Sequence, residues 1–376
     1  MAGNRKQTKE PLKIKYKNQI FKYIYLNRES SYKDIAYSLG FSMPTVLTNT
    51  KELLDDGFIE EVGFYSSTGG RRAKILAPKK DAFYTIGVNI SRNHIGIALV
   101  NFCGELKNWR RISYPYIDEE NYYETLSDFI EDFIEGNNIQ KEKIIGVGYS
   151  VPSIIDPEEK VMIKSHVLGL RDILCLRFSK KIPYDSSFIN DANAAGYCEL
   201  STQRRQDDFV YISLSDFVGG GVFKNGQLYL GDNQRSGEFG HMILVPGGKP
   251  CYCGKKGCVD PYCSALNLSS ISENNLDLFF HRLEQGDTKY MVAFKTYLNY
   301  LATLIINLRM AFDCEIIVGG YVGERLDPYL DELRSIVLKK DTFEEERLFI
   351  HTCANKSEVS AYGAALFHME KYIERI

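Results

Sequence analysis

Three cysteines fall within eight residues, Cys251-Tyr252-Cys253-Gly254-Lys255-Lys256-Gly257-Cys258, and His241 lies ten residues before the first of them. Three thiolates and one imidazole complete a tetrahedral Cys3His set, the composition of a closed structural zinc site. The spacing therefore predicts one Zn2+ per chain, held by His241, Cys251, Cys253 and Cys258. Gly254 and Gly257 let the chain turn tightly between ligands. Four protein ligands leave no open coordination position, so the ion is expected to hold structure rather than activate water. The other six cysteines (Cys103, Cys175, Cys198, Cys263, Cys314, Cys353) are scattered in apolar contexts and read as reduced, mostly buried small hydrophobes.

A chain of 376 residues has room for two or three domains. Its 44% hydrophobic and 25% charged content is that of a globular protein and argues against disorder. No run approaches the ~20 apolar residues of a membrane helix. The N-terminus is polar and basic without an apolar core behind it, so a cytoplasmic location is expected. Charge is divided unevenly. Residues 1–80 carry 15 basic against 8 acidic residues, a net of +7, while the remainder carries 31 against 41, a net of −10. A basic head on an acidic body points to a polyanionic partner for the head alone.

The head reads as a DNA-binding module. Asn18 to Asn27 places Ile20, Phe21, Ile24 and Tyr25 at helical spacing. Ser31 can cap a second helix with Asp34 in its first turn, and Gly40 stops it. Ser42 caps a third, with Pro44 early, which runs through Val46, Leu47 and Leu53 to about Asp56. Two short helices joined by a turn form a helix-turn-helix whose third helix would lie in the major groove. Strands at Phe58–Phe64 and Ala73–Leu76 flank Ser66-Ser67-Thr68-Gly69-Gly70-Arg71-Arg72, an arginine-tipped β-wing suited to a narrow minor groove. Ser42, Thr45, Thr48 and Asn49, with Arg71 and Arg72, are the expected contacts to a double-stranded operator.

In the body, a hairpin at Tyr84–Val100, a helix at Tyr122–Glu135 and a strand at Ile144–Ser150 are followed by a second round. That round comprises Phe209–Leu214, Gly221–Phe223, the apolar helix Tyr297–Phe312 and Glu315–Val318. Two such rounds predict two α/β lobes with a cleft between them.

With Asn190-Asp191-Ala192-Asn193-Ala194 and Gly237-Glu238-Phe239-Gly240-His241 ahead of the zinc loop, the chain from about residue 15 onward resembles the repressor branch of the ROK family. That resemblance implies an α/β chain of two parts: a winged helix-turn-helix (residues 1–80) and a two-lobed, actin-like, sugar-kinase-type domain (81–376). The first lobe is expected over about 81–190 plus the C-terminal helix and the second over about 191–360, with the zinc loop at 241–260. By the same resemblance Asn190, Asp191, Glu238, His241 and Asp260 contact a sugar or sugar phosphate effector. Their carboxylates accept from hydroxyls, and the amide does both. Asp260 stands where the family has Glu, and Ser153 where it has Gly.

In the family's kinases the residue matching Asp191 is the general base. Here Asn89-Ile90-Ser91-Arg92-Asn93 replaces the glycine-rich phosphate hairpin, and Ser215-Asp216-Phe217 precedes the second phosphate loop, Gly219-Gly220-Gly221. Side chains in the hairpin block close backbone approach to phosphate, and Asp216 repels it. The chain is accordingly expected to be non-catalytic, with Asp191 a relict base position. The expected function is a sugar-responsive transcriptional repressor of carbohydrate-utilisation genes, working as a homodimer or tetramer. An active sugar kinase with an appended DNA-binding head, or a regulator that senses a protein partner, are the alternatives.

Overall fold

A computed structural model describes residues 9–65, 72–343 and 349–376. The head comprises helices α1 (Lys9–Asn27), α2 (Tyr32–Leu39) and α3 (Met43–Asp55) and an antiparallel pair, β1 (Ile59–Phe64) and β2 (Lys74–Pro78). Local chemistry fixes its corners. Ser31 and Asp34 form a reciprocal capping box at the start of α2, left-handed Gly40 (φ 65°) ends it, and the Ser42 hydroxyl accepts from the Thr45 N–H to start α3.

α3 turns Val46, Asn49, Thr50 and Leu53 into the core. Leu47 is exposed. One expectation is corrected by this arrangement. Asn49, expected to reach DNA, is buried and donates its amide to the Thr45 carbonyl at 2.8 Å. Ser42 and Thr48 face outward and Thr45 is half-buried beside them.

The body holds two five-stranded sheets built to one plan. The first uses β3 (Tyr84–Ile90), β4 (His94–Asn101), β5 (Leu106–Ser113), β6 (Ile144–Val151) and β10 (Ser186–Asn190), in the order β10-β6-β3-β4-β5. Helix α4 (Glu120–Gly136) joins its two halves in sequence, and a small sheet of β7 (Ile154–Asp156), β8 (Val161–Ser165) and β9 (Leu170–Leu174) rises between β6 and β10. After helix α5 (Asp191–Thr202), the second sheet repeats the pattern. It uses β11 (Phe209–Leu214), β12 (Val218–Lys224), β13 (Gln227–Tyr229), β14 (Glu315–Gly319) and β15 (Ile350–Thr352), in the order β13-β12-β11-β14-β15. In each sheet the first three strands pair antiparallel and the remaining two join in parallel.

Helices α6 (Asp260–Cys263), α7 (Ala265–Ser269), α8 (Leu276–Glu284) and α9 (Thr288–Phe312) cover the second sheet, followed by α10 (Gly320–Gly323) and α11 (Leu330–Leu338). By length and composition α9 could cross a membrane, but Leu298, Leu301, Leu304, Ile305 and Leu308 are buried in the core of this lobe. The last helix, α12 (Val359–Ile373), packs against the first sheet and along α5. The approach to α5 requires glycine at 363: a Cβ there would stand 1.8 Å from the Ala194 carbonyl oxygen.

The head is seated on the body. Phe21 and Phe58 stack around Phe102 at 5.5 and 5.9 Å, and Phe83 closes the cluster. The Arg28 guanidinium donates to the Cys103 carbonyl at 2.6 Å, and Asn18 donates to the carbonyl of Ile373 at the end of α12. Apolar burial with directional bonds fixes the head's angle more tightly than a bare linker does.

Candidate functional site

A cavity of about 420 Å³ lies between the lobes. One end is built on α5. Asn190 caps that helix, its side-chain oxygen accepting from the N–H groups of Ala192 and Asn193, while its amide donates to the Ser153 carbonyl at 3.3 Å. Asp191 occupies the first helical position, where the N-terminal dipole favours a carboxylate. One of its oxygens accepts from the Ala192 N–H at 2.9 Å. Burial nonetheless pushes the Asp191 carboxyl up to about 6, the backbone N–H groups only partly offsetting it. Glu238, opposite, is also raised, by burial first and by the Asp191 carboxylate second.

The cysteine loop adjoins this end. Gly254 and Gly257 take left-handed turns (φ 89° and 82°), and the ligand atoms of His241, Cys251, Cys253 and Cys258 lie within 4.8 Å of one another. The imidazole divides its two nitrogens. Nδ1 faces Cys251 Sγ at 3.9 Å, whereas Nε2 faces the cleft, 3.4 Å from the Tyr252 hydroxyl and 4.0 Å from a Glu238 oxygen. Three sulfurs and one nitrogen converging from a tight loop can hold a metal ion, with the second nitrogen left for hydrogen bonding. The six remaining cysteines are free and buried.

Of the five residues expected at a sugar, Asn190, Asp191, Glu238 and His241 line the cavity and Asp260 does not. Its carboxylate accepts from the Val218 N–H at 2.7 Å and is 95% buried at the start of α6. The cavity wall includes residues that the sequence reading passed over: Lys164 and His166 from the β8–β9 segment, Phe217, and Tyr252. Tyr252 could have been noticed, since a residue between two converging thiols must point away from them.

At the other end stand Asn89, Ser91 and Arg92 of the β3–β4 turn, where the Ser91 hydroxyl bonds the His94 carbonyl and Asn89 accepts from Ser150 at 2.9 Å. Beside this turn Arg111, on β5, donates to Glu358, the left-handed residue capping α12 (φ 43°), and its guanidinium lies 5.2 Å from the Tyr321 ring centre. The Glu358 side chain is 2% exposed; burial raises its carboxyl and Arg111 lowers it. Gly96 leaves the space this carboxylate fills, for a Cβ there would come within 1.9 Å of its oxygen. Burial also raises Asp216, which His94 and Arg111 partly offset. A protein anion, already neutralised, therefore sits beside the hairpin.

On the head, Arg72 is exposed. Arg71 and the preceding turn, residues 66–71, lie outside the described residues.

An N-terminal helix-turn-helix on two actin-like lobes, with a cysteine-rich loop at one end of the cleft, defines the class: a sugar-kinase-type fold carrying a DNA-binding type of head. The ROK family model matches residues 85–371, and the chain belongs to the ROK family. It is 29% identical over 311 residues to the xylose repressor of Bacillus subtilis strain 168, covering 78% of this chain and 80% of that protein. Among solved structures it matches a ROK family transcriptional regulator, a homologue of the Escherichia coli MLC protein, with a TM-score of 0.80 at 19% identity over 97% of both chains. It also matches a ROK family glucokinase from Streptomyces griseus in complex with glucose and AMPPNP, with a TM-score of 0.64 at 22% identity, over 76% of this chain and 98% of that one.

Proposed function

We propose that this chain is a sugar-responsive transcriptional repressor of carbohydrate-utilisation genes that has given up kinase chemistry. The observation that carries the reading is the contrast between the two ends of one cavity. Asn190, Asp191, Glu238 and the Nε2 face of His241 converge at one end, while at the other the Glu358 carboxylate packs over Gly96 and pairs with Arg111 beside the Asn89–Asn93 hairpin. Phosphoryl transfer rests on backbone loops and cations that neutralise a triphosphate. A buried, paired carboxylate offers neither.

In this reading residues 1–80 bind operator DNA through Ser42, Thr45, Thr48, Arg71 and Arg72, and residues 81–376 bind the effector. Zn2+ on His241, Cys251, Cys253 and Cys258 holds the loop rigid, so that His241 keeps one orientation toward the sugar. Lobe closure on a sugar rotates a head that is packed on the body, and in a homodimer or tetramer it changes the spacing of two heads across paired half-sites.

The test selects an operator from a random DNA pool and measures its binding while D-xylose, D-glucose, N-acetyl-D-glucosamine and their phosphates are titrated in. A change of tenfold or more in operator affinity with one sugar is expected. No response to any of them, or ATP-dependent phosphorylation of one, overturns the proposal.

A further inference from the structure

Tyr252 occupies the second position of the cysteine loop, between two residues whose thiols converge on its far side. Its side chain therefore leaves the loop toward the cleft, whose wall it forms. There its ring meets three others edge-on: Phe217 at 4.8 Å, His241 at 5.3 Å and, from the opposite lobe, His166 at 5.9 Å. Its hydroxyl lies 3.4 Å from His241 Nε2. Glu238 and Asp191 line the same cavity. The phenol lines the cavity, from which Asp260 is withdrawn onto the Val218 N–H.

We infer that Tyr252, rather than Asp260, is the cysteine loop's direct contact with the effector and a determinant of which sugar is accepted. The inference rests on the sugar-binding reading above. The phenol supplies one donor and one acceptor to a ring hydroxyl and presents an apolar edge to ring C–H groups. Acting with His166, it also sets the width of this end of the cleft when the lobes close. A site that hydrogen-bonds a substrate hydroxyl rejects the analogue lacking it, because the protein group is then left unpaired.

The experiment uses the full-length protein and the sugar that shifts its operator affinity, together with each monodeoxy analogue of that sugar. Dissociation constants are measured by calorimetry for wild type, Tyr252→Phe and Asp260→Asn, with metal content and thermal midpoint recorded for each. Tyr252→Phe is expected to weaken the parent sugar about five- to tenfold. It should also abolish the penalty that wild type imposes on one particular deoxy analogue, at unchanged metal content. The inference is overturned by wild-type affinity and discrimination in Tyr252→Phe, or by a loss uniform across all analogues that tracks loss of metal. It is equally overturned if Asp260→Asn, and not Tyr252→Phe, erases the discrimination. If wild type binds none of the sugars, the sugar-binding reading itself falls.

Discussion

Asp191 and Glu358 are two acids at helix N-termini on opposite ends of one cleft, and the fold treats them in opposite ways. Asp191 opens α5 with one oxygen on backbone and the cavity in front of it. Glu358 stands at the N-terminus of α12, the helix packed along α5, and is paired with Arg111. The first carboxylate is met only by backbone N–H groups, whereas the second is paired with a guanidinium. An unsatisfied buried acceptor invites a ligand, whereas a paired one excludes it. Function within a shared scaffold can therefore be divided by which anions the protein neutralises itself.

The comparison breaks most severely at the cysteine loop, which frames only the sugar end. Cys253→Ser should remove about one metal ion per chain and lower the thermal midpoint by roughly 5–10 °C, since a structural site contributes several kcal/mol. Effector binding should vanish with it, because His241 loses its orientation. Metal analysis beside calorimetry checks this; retained metal with retained binding would contradict it.

Asp191→Ala comes next and separates the ends. Loss of a charged acceptor should weaken the effector by about 2–3 kcal/mol, some 30- to 150-fold, while sugar-free operator binding stays near wild type and the thermal midpoint does not fall, since the change removes a charge that burial disfavours. Arg111→Ala should do the converse. It strands the buried Glu358 and should cost about 2 kcal/mol of stability, less than a fully buried pair because the guanidinium side chain is 42% exposed. Sugar affinity should change by less than threefold, and no ATP turnover should appear. Urea unfolding of the two variants, set against their sugar titrations, reads both arms. If each moves both quantities equally, the ends are not independent.

What the sequence disclosed depended on how far apart the cooperating residues lie. The Cys3His set spans eighteen positions, and the caps Ser31, Gly40 and Ser42 act within one turn, so their chemistry could be read directly. The two rounds of hairpin, strand and helix were likewise visible, though not the order of the strands in each sheet. The pair of Arg111 and Glu358 joins residues 247 positions apart, and Asp260 meets Val218 across 42, so neither contact leaves a local trace. The α3 helix failed for a different reason. Asn49 sits on the boundary of the apolar stripe, where 100° per residue lets it face either way, and packing against the rest of the head settled it.

The subtlest expected effect is a pH signature in which binding and stability move in opposite directions. The Asp191 carboxyl is raised from 3.8 to about 6 in the fold, so the folded state holds its proton more tightly than the unfolded state does. That contribution is fully present below about 3.8 and is lost as pH rises through 6, so the unliganded protein should lose stability across this window. Asp260, raised to about 6 by burial while bonded to backbone, adds to the same trend without facing the cavity. The effector, by contrast, needs the ionised Asp191 acceptor and should bind about fourfold more weakly at pH 5.5 than at pH 7.5, from the ionised fraction alone. Asp191→Asn should flatten most of the binding profile and leave the Asp260 part of the stability profile in place. Calorimetry across pH 5.5–7.5 measures the binding curve, and urea unfolding of the sugar-free protein from about pH 4 to about pH 7 measures the stability curve, with metal content recorded at each pH. A binding profile unchanged by Asp191→Asn would assign the titration to Glu238, the other raised carboxyl at this end of the cleft.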